Sequence, residues 1–211
     1  MSYSRYRSDN IVPVLAIIIL CFLVFIATEA GRRFFDYNLV ALLGLQTATF
    51  LHEPWTIVTN QPWTIVTNLF VHGDIWHILF NMITLYFFGT FLIRLVGTRD
   101  FLIIYFLGGI MGNIFFMLFA SLVDQRYLDI SVIGASGAIF ALGGALAVLT
   151  PRLRVFVFPI PVPMPLWAAV IGGFVILGFV GGIAWQGHLG GLVFGLLAGL
   201  VLRRRVHTPF A

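Results

Sequence analysis

Long apolar runs separated by short polar segments are the feature that most restricts how this chain can fold. Only 9% of its 211 residues are charged and 60% are hydrophobic, with a mean hydropathy of +1.03. A soluble domain carries about 25% charged residues. Because so little polar surface cannot cover a globule in water, the surrounding solvent must be largely lipid. The composition predicts an integral membrane protein with one domain.

Six apolar runs are near the length that a membrane helix needs, about 17–25 residues. We predict an all-α bundle of six transmembrane helices over residues 11–202, between a cytoplasmic segment (residues 1–10) and a short cytoplasmic tail (residues 203–211). The external segment Glu29–Asp74 is too long for a simple connection, and its apolar and aromatic residues indicate a short interfacial helix. The predicted spans are approximately Ile11–Thr28, Ile75–Leu95, Phe101–Val123, Ile133–Leu149, Pro163–Ile183 and Gly187–Leu202.

Arginines mark the ends of the apolar runs and indicate an orientation. With the N-terminus inside, nine arginines are cytoplasmic and only Arg32, Arg33 and Arg126 are external, as the positive-inside rule favours. We therefore predict that both termini are cytoplasmic. No further domain or targeting sequence precedes the first span, which favours a prokaryotic cell membrane. The excess of basic over acidic residues reflects membrane topology, so we expect a lipid bilayer and no nucleic acid as partner.

A direct repeat lies in the external segment. The seven residues Pro54–Asn60 recur as Pro62–Asn68. Because repeat folds need at least three copies, one recurrence indicates a local duplication. The sequence does not indicate what the duplication does.

Three of the predicted spans carry strongly polar side chains at a similar depth. The second span supplies His77, the fourth supplies Ser136 and the sixth supplies His188. These residues lie 17, 16 and 15 residues before the arginine that follows their own span, or about 22–26 Å along each helix. In a hydrocarbon core about 30 Å thick, all three lie several ångströms below the outer surface.

This arrangement suits nucleophilic catalysis. A histidine beside a serine removes its proton and creates a nucleophile at neutral pH, so we predict Ser136 as nucleophile and His188 as general base. A helix that begins near Ser136 directs free N–H groups at the reacting carbon. His77 and Asn81, which share a helix face, add donors for an oxyanion. Every carboxylate lies near a helix end or in a loop, so we predict a dyad without an acidic third member.

Small residues indicate which spans lie together. The sixth span carries a glycine at every fourth residue: Gly191, Gly195 and Gly199. The fourth span carries a matching ridge: Gly137, Ala141 and Ala145. Such stripes let two helices approach closely, and Gly134 with Gly137 flanks Ser136. We expect Gly195→Val to cripple activity by separating the two helices.

At these residues the chain resembles the rhomboid family of intramembrane serine proteases, over roughly Pro62 to Leu202. The motifs that carry the resemblance are Pro62-Trp63 through His72-Gly73, His77-Ile-Leu-Phe-Asn81, Gly134-Ala-Ser-Gly137, and Gly187-His188 with Gly191 and Gly195. The resemblance implies Ser136 as nucleophile and His188 as base. It places His77 and Asn81 around the oxyanion and implies that His72 braces the first loop.

The resemblance also implies how a substrate reaches the site. The fifth span and the loop Gly181–Gln186 would form a lateral gate and cap, where a transmembrane protein unfolds locally and presents an extended segment. Two residues depart from the family pattern. Thr64 stands where the family often has an arginine, and Arg94 stands near a position where a glutamate is common.

Other functions predict different patterns. A catalytically silent rhomboid-like protein that binds membrane clients would be expected to lack the serine or the histidine. A transporter or channel predicts polar residues at several depths, whereas the inner halves of the three spans are nearly all apolar. No H-E-x-x-H motif is present, and the spacing of His72, Asp74 and His77 argues against a metal site. We therefore predict cleavage of transmembrane proteins near the outer membrane face, without metal or cofactor.

Overall fold

The protein is mostly helical. The computed structural model describes residues 10–52, 61–124, 127, 129–157, 160–178 and 184–206, with only the backbone at residues 50–52. Within these residues the chain forms nine α-helices: α1 (Val12–Phe34), α2 (Leu39–Leu43), α3 (Thr47–His52), α4 (Thr64–Thr67), α5 (Ile75–Val96), α6 (Thr98–Leu122), α7 (Ser136–Leu149), α8 (Leu166–Gly178) and α9 (Trp185–Arg203). The same residues form a 3-10 turn (Asn68–Phe70) and four short strands: β1 (Leu45–Gln46), β2 (Ser131–Val132), β3 (Arg154–Val155) and β4 (Met164–Pro165).

Four of these helices, α1, α5, α6 and α9, are long and apolar enough to cross a membrane. The prediction of a helical membrane protein is therefore confirmed. Two further apolar helices are shorter, with 14 residues in α7 and 13 residues in α8. A helix of 14 residues is only about 21 Å long, so the count of six spans stays a prediction.

The ends of the helices differ from the predicted spans for local reasons. α1 continues six residues past Thr28 to Phe34, where Glu29 pairs with Arg32 at 2.8 Å one turn later on the same helix face. α5 and α6 are separated by Gly97, whose φ of 86° suits glycine and ends one helix as the next begins. α7 begins only at Ser136, because Gly134 adopts a φ of 111°. The last five residues of the fifth predicted span lie outside the described residues.

The centre of the bundle is formed by α6, α7 and α9, which pack against one another. An added Cβ at Gly191 would collide with the carbonyl oxygen of Gly137, and one at Gly195 would collide with that of Ala141. At Gly199 the same atom would lie 2.9 Å from the carbonyl oxygen of Ala145. The structure therefore places the glycine stripe of α9 against the ridge of small residues on α7, with the two backbones in direct contact.

The segment between α1 and α5 is built from short elements. β1 pairs with β2 in antiparallel register, Leu45 opposite Val132 and Gln46 opposite Ser131. The indole N–H of Trp63 donates to the carbonyl of Leu42 at 2.9 Å. The strand pairing attaches the segment to the chain that leads into α7, and the Trp63 bond joins two parts of the segment itself. Its position in the membrane interface stays a prediction, and the first repeat copy, Pro54–Asn60, lies outside the described residues.

We expect Gly195→Ala to destabilise the protein, because its Cβ has no space beside the backbone of Ala141. Overpacking of this kind costs about 1–3 kcal/mol. The matched control is Gly172→Ala in α8, where an added Cβ meets nothing within 4 Å. Thermal unfolding in detergent should show a clear drop in midpoint for the first variant and none for the second. Equal midpoints would contradict the close approach of α7 and α9.

Candidate active site

Two polar side chains meet where α7 and α9 begin. The hydroxyl oxygen of Ser136 lies 2.8 Å from Nε2 of His188, within the normal range of a hydrogen bond. Ser136 is the first residue of α7 and His188 is the fourth residue of α9. His188 is only 5% exposed, whereas Ser136 is half-buried and so remains open to a reactant. The structure brings together the two residues that the sequence predicts as nucleophile and base.

Packing fixes the imidazole of His188. The ring stacks on Phe140, one turn after Ser136 on α7, with centroids 4.7 Å apart and planes 28° apart. Nδ1 of His188 is buried without a hydrogen-bond partner in the described part of the chain. For Nε2 to accept the proton of Ser136, the neutral ring must carry its own proton on Nδ1. Among the described residues, the aromatic stack and not a carboxylate therefore holds the ring in this orientation.

His77 lies beside the turn that precedes Ser136. An added Cβ on Gly134 would be 2.7 Å from Nε2 of His77, so the ring fills the space that a side chain at position 134 would need. Nδ1 of His77 accepts the backbone N–H of Gly73 at 3.4 Å. A neutral ring that accepts at Nδ1 carries its proton on Nε2. The structure therefore places His77 against the turn that precedes Ser136, and its predicted contact with the oxyanion stays a prediction.

Asn81 is held by its own helix. Its amide nitrogen donates to the carbonyl of His77 at 2.8 Å, and its side chain is 8% exposed. An asparagine amide has two N–H groups, so one stays available to another acceptor. The structure places Asn81 in contact with His77, and its predicted contact with the oxyanion stays a prediction.

His72 lies under His77. Its side chain is 1% exposed, its Nδ1 is 3.2 Å from the carbonyl of Phe70, and its ring meets that of His77 edge-on at 5.0 Å. Burial, together with the neighbouring His77, lowers the pKa of His72 to about 4, so the ring is neutral at physiological pH. Within the described residues, no group of three or more His, Cys, Asp or Glu side chains is placed to hold a metal ion.

A small cavity adjoins the serine. It has a volume of about 20 Å³ and is lined by Asn113 of α6, by Gly134 and Ser136, and by His188 among others. A volume of this size accommodates one water molecule if polar partners are present. The cavity therefore offers a place for a small polar reactant beside both the hydroxyl and the imidazole.

Three residues near the site were not predicted from the sequence. Phe140 carried a usable signal, since it lies one helical turn after Ser136 and so shares its face. Asn113 is the lone amide side chain of α6, and polar residues inside a membrane span are expensive and favour a function. Asn68 carried no such signal, because its partner is contributed by another helix.

The fold and the site define a class: a helical membrane protein with a serine and a histidine in contact at the ends of two helices. Residues 59–205, more than half of the chain, match the rhomboid domain. The chain therefore belongs to the rhomboid family.

Among the individual relatives, one is named as a protease and another is named as inactive. Rhomboid protein 1, mitochondrial, of Saccharomyces cerevisiae is 29% identical over 198 residues, which cover 80% of this chain and 54% of the yeast protein. Rhomboid protease GluP of Bacillus subtilis is 36% identical over 134 residues, covering 63% of this chain and 24% of GluP. Inactive RHOMBOID-like protein 8 of Arabidopsis thaliana is 31% identical over 104 residues, covering 49% and 25%. The chain thus spans about half of the yeast relative and about a quarter of the other two.

We expect stability to fall in acid because of His72. Its pKa is about 4 in the folded protein and 6.5 as an ordinary histidine, so between these values the unfolded chain binds a proton that the folded chain does not. The contribution of neutral His72 to the free energy of unfolding is complete above pH 6.5 and is lost as the pH falls towards 4. The loss is at most about 1.4 kcal/mol per pH unit. Thermal midpoints in detergent at neutral pH and near pH 5 should show a steeper loss for the wild type than for His72→Phe. Parallel losses would contradict the neutral, buried state of His72.

Proposed function

We propose that the protein is an intramembrane serine endopeptidase that cleaves transmembrane proteins with a Ser136–His188 dyad. The observation that carries the proposal is the 2.8 Å contact between Ser136 Oγ and His188 Nε2. Membership of the rhomboid family supports it. So does the position of Ser136 as the first residue of α7, where backbone N–H groups lack acceptors within the helix and the helix dipole favours negative charge.

The first half of the reaction forms an ester on Ser136. Its hydroxyl attacks the carbonyl carbon of the scissile peptide while Nε2 of His188 takes the proton. The resulting oxyanion lies near the N–H groups at the start of α7 and the Nε2–H of His77, with Asn81 contributing its free amide N–H. When the intermediate collapses, the C–N bond breaks and His188 gives its proton to the leaving amine.

The second half releases the other product. A water molecule in the cavity beside Ser136 loses a proton to His188 and attacks the ester carbon. The same donors stabilise the second oxyanion, the C–O bond to Ser136 breaks, and His188 returns the proton to the serine. Because no carboxylate in the described part of the chain bonds the ring, His188 is oriented by its stack on Phe140 and its bond to Ser136.

Two observations support a site at the outer face of a cell membrane with both termini inside. His77, Ser136 and His188 all lie in the first turn of their helices. Arginines lie in the last turn of two of those helices, Arg94 in α5 and Arg203 in α9, where the positive-inside rule places the cytoplasm. The site then opens to the opposite side, where water is available for hydrolysis.

The packing of α8 supports lateral entry of a substrate. Of its 13 residues only Leu166 and Val170 are buried, and segments with few buried contacts open most readily. A transmembrane segment that partly unfolds beside α8 would bring an extended strand to Ser136. Residues 181–183 of the predicted cap loop, Gly181–Gln186, lie outside the described residues.

A client-binding protein without catalysis is the alternative, and the relative named inactive shows why it must be tested. The close contact of Ser136 with His188 favours cleavage. An inactive binder would not need a hydroxyl within hydrogen-bond distance of an imidazole that stacking holds in place.

We expect purified wild-type protein in detergent to cleave a single-span test substrate, and Ser136→Ala and His188→Ala to abolish cleavage. A fluorophosphonate probe should label Ser136 in the wild type and label His188→Ala far more slowly, because the hydroxyl then lacks its base. The matched control is Ser121→Ala, which removes a serine of α6 whose hydroxyl bonds only the carbonyl of Leu118. Equal cleavage by wild type and Ser136→Ala, or wild-type binding without cleavage, would contradict the proposal.

We expect Asn81→Ala and His77→Ala to lower kcat by about 10²-fold each, because each removes one donor to the oxyanion. KM should change little, since these donors act in the transition state more than in the bound substrate. Steady-state kinetics with the same substrate measures both constants. A rise in KM at unchanged kcat would instead assign the two residues to substrate binding.

A further inference from the structure

A pair of buried amides joins α6 to the segment that precedes α5. Asn113 is 3% exposed and Asn68 is not exposed. The amide nitrogen of Asn68 donates to Oδ1 of Asn113 at 2.8 Å, and the amide nitrogen of Asn113 donates back to Oδ1 of Asn68 at 3.3 Å. The nitrogen of Asn113 also donates to the carbonyl of Ile65 at 3.0 Å. Asn113 therefore holds both the first turn of α4 and Asn68, the residue that follows α4.

We propose that the Asn68–Asn113 pair is a positioning device that fixes the Gly134 turn and, through it, the oxyanion side of Ser136. This inference rests on the function proposed above and assigns a role to two residues that need not touch the substrate. They act through the backbone that they hold.

The link from the pair to the serine is a single backbone bond. The carbonyl oxygen of Asn68 accepts the N–H of Gly134 at 2.9 Å. Gly134 has a φ of 111°, a conformation that side-chain-bearing residues rarely adopt, and it stands two residues before Ser136. Rotation of this turn would redirect the peptide groups that lead into α7 and would change the distance from Gly134 to His77. The carbonyl of Asn68 thus sets a backbone that both Ser136 and His77 depend on.

The neighbouring contacts keep Asn68 from moving. Leu69 packs closely onto Gly109 of α6. An added Cβ on Gly109 would lie 2.7 Å from the methyl groups of Leu69. Gly109 and Asn113 are four residues apart and so lie on one face of α6. Two contacts therefore fix the backbone at Asn68: the apolar contact of Leu69 with Gly109, and the amide pair. The apolar contact supplies packing, and the directional amide bonds supply a defined orientation.

The two asparagines of the pair differ in one further contact. Asn113 lines the cavity beside Ser136, whereas Asn68 does not. A direct action of Asn113 on a reactant in that cavity would make Asn113 important and Asn68 dispensable. Action through the Gly134 turn requires both. Variants at Asn68 therefore distinguish a positioning device from a direct contact.

The test uses the full chain in detergent with the single-span substrate and compares wild type, Asn68→Ala, Asn113→Ala and the double variant. Each is expected to lower kcat by roughly 10- to 100-fold, because small displacements of catalytic groups have effects of this size. KM should stay at its wild-type value, and labelling of Ser136 by the fluorophosphonate should slow in parallel. The double variant should be no slower than the slower single variant, because the two residues act as one unit.

The matched control is Thr150→Ala. Thr150 is also fully buried and its hydroxyl bonds the carbonyl of Leu146, but it follows the opposite end of α7 from Ser136. It should lower the thermal midpoint without changing kcat at a temperature well below unfolding. If an alanine variant does not purify folded, Asn68→Asp takes its place with the same expectations, since it keeps the shape but loses the N–H donated to Asn113.

Each remaining result decides against the inference. Normal kcat in variants that are only less stable would make the pair structural, and a loss confined to Asn113 would make it a direct contact. If the losses in kcat of the two single variants add fully in the double variant, the two residues act independently, which also contradicts the inference. These results leave the proposed function intact, because the wild type still cleaves. A wild type that neither cleaves nor labels overturns both.

Discussion

The direct contact between the backbones of α7 and α9 is the constraint on which the rest of the structure depends. In lipid there is little hydrophobic drive to bring two apolar helices together, so close van der Waals packing and polar contacts must do it. Gly191 lies against Gly137 and Gly195 against Ala141, with no space for even one added carbon atom at either glycine. This approach places the hydroxyl at the start of one helix within 2.8 Å of an imidazole on the other. A wider separation would break this contact and leave the buried imidazole of His188 without its hydrogen-bond partner, which is costly in an apolar environment.

The polar groups of the site are confined to one end of the bundle, which explains how a mostly apolar protein holds them. His77, Ser136 and His188 lie in first turns, where a helix has unsatisfied N–H groups and where water or a substrate is within reach. The amide side chains of Asn68 and Asn113 are buried and bond one another. The serine and the two histidines therefore occupy the ends of the helices, and the buried amide pair finds its hydrogen-bond partners within the protein.

The sequence predicts the long helices and the meeting of Ser136 with His188 better than the connections between the helices. Apolar run length and arginines at run ends are local signals, so α5 and α9 begin and end within two residues of the predicted limits. The start of α7 was predicted three residues too early, because hydropathy does not register the positive φ of Gly134. The stack of Phe140 on His188 and the pairing of β1 with β2 join residues far apart in the chain. Such contacts depend on how the helices pack, which no single run of residues encodes.

The second copy of the repeat illustrates the same point, because its contacts join it to residues that are distant in the chain. In the second copy, Trp63 donates to Leu42, Thr67 donates to Leu43 and Asn68 pairs with Asn113. Thr64, which stands where the family often has an arginine, is 1% exposed and bonds the carbonyl of Gln61 at 2.8 Å. A guanidinium could not take this place without a partner and more room. The rhomboid domain match begins at residue 59 and contains the whole second copy but only the last two residues of the first. In the second copy, the side chain of Asn68 connects the segment between α1 and α5 to α6, and the backbone carbonyl of Asn68 connects it to the turn before Ser136.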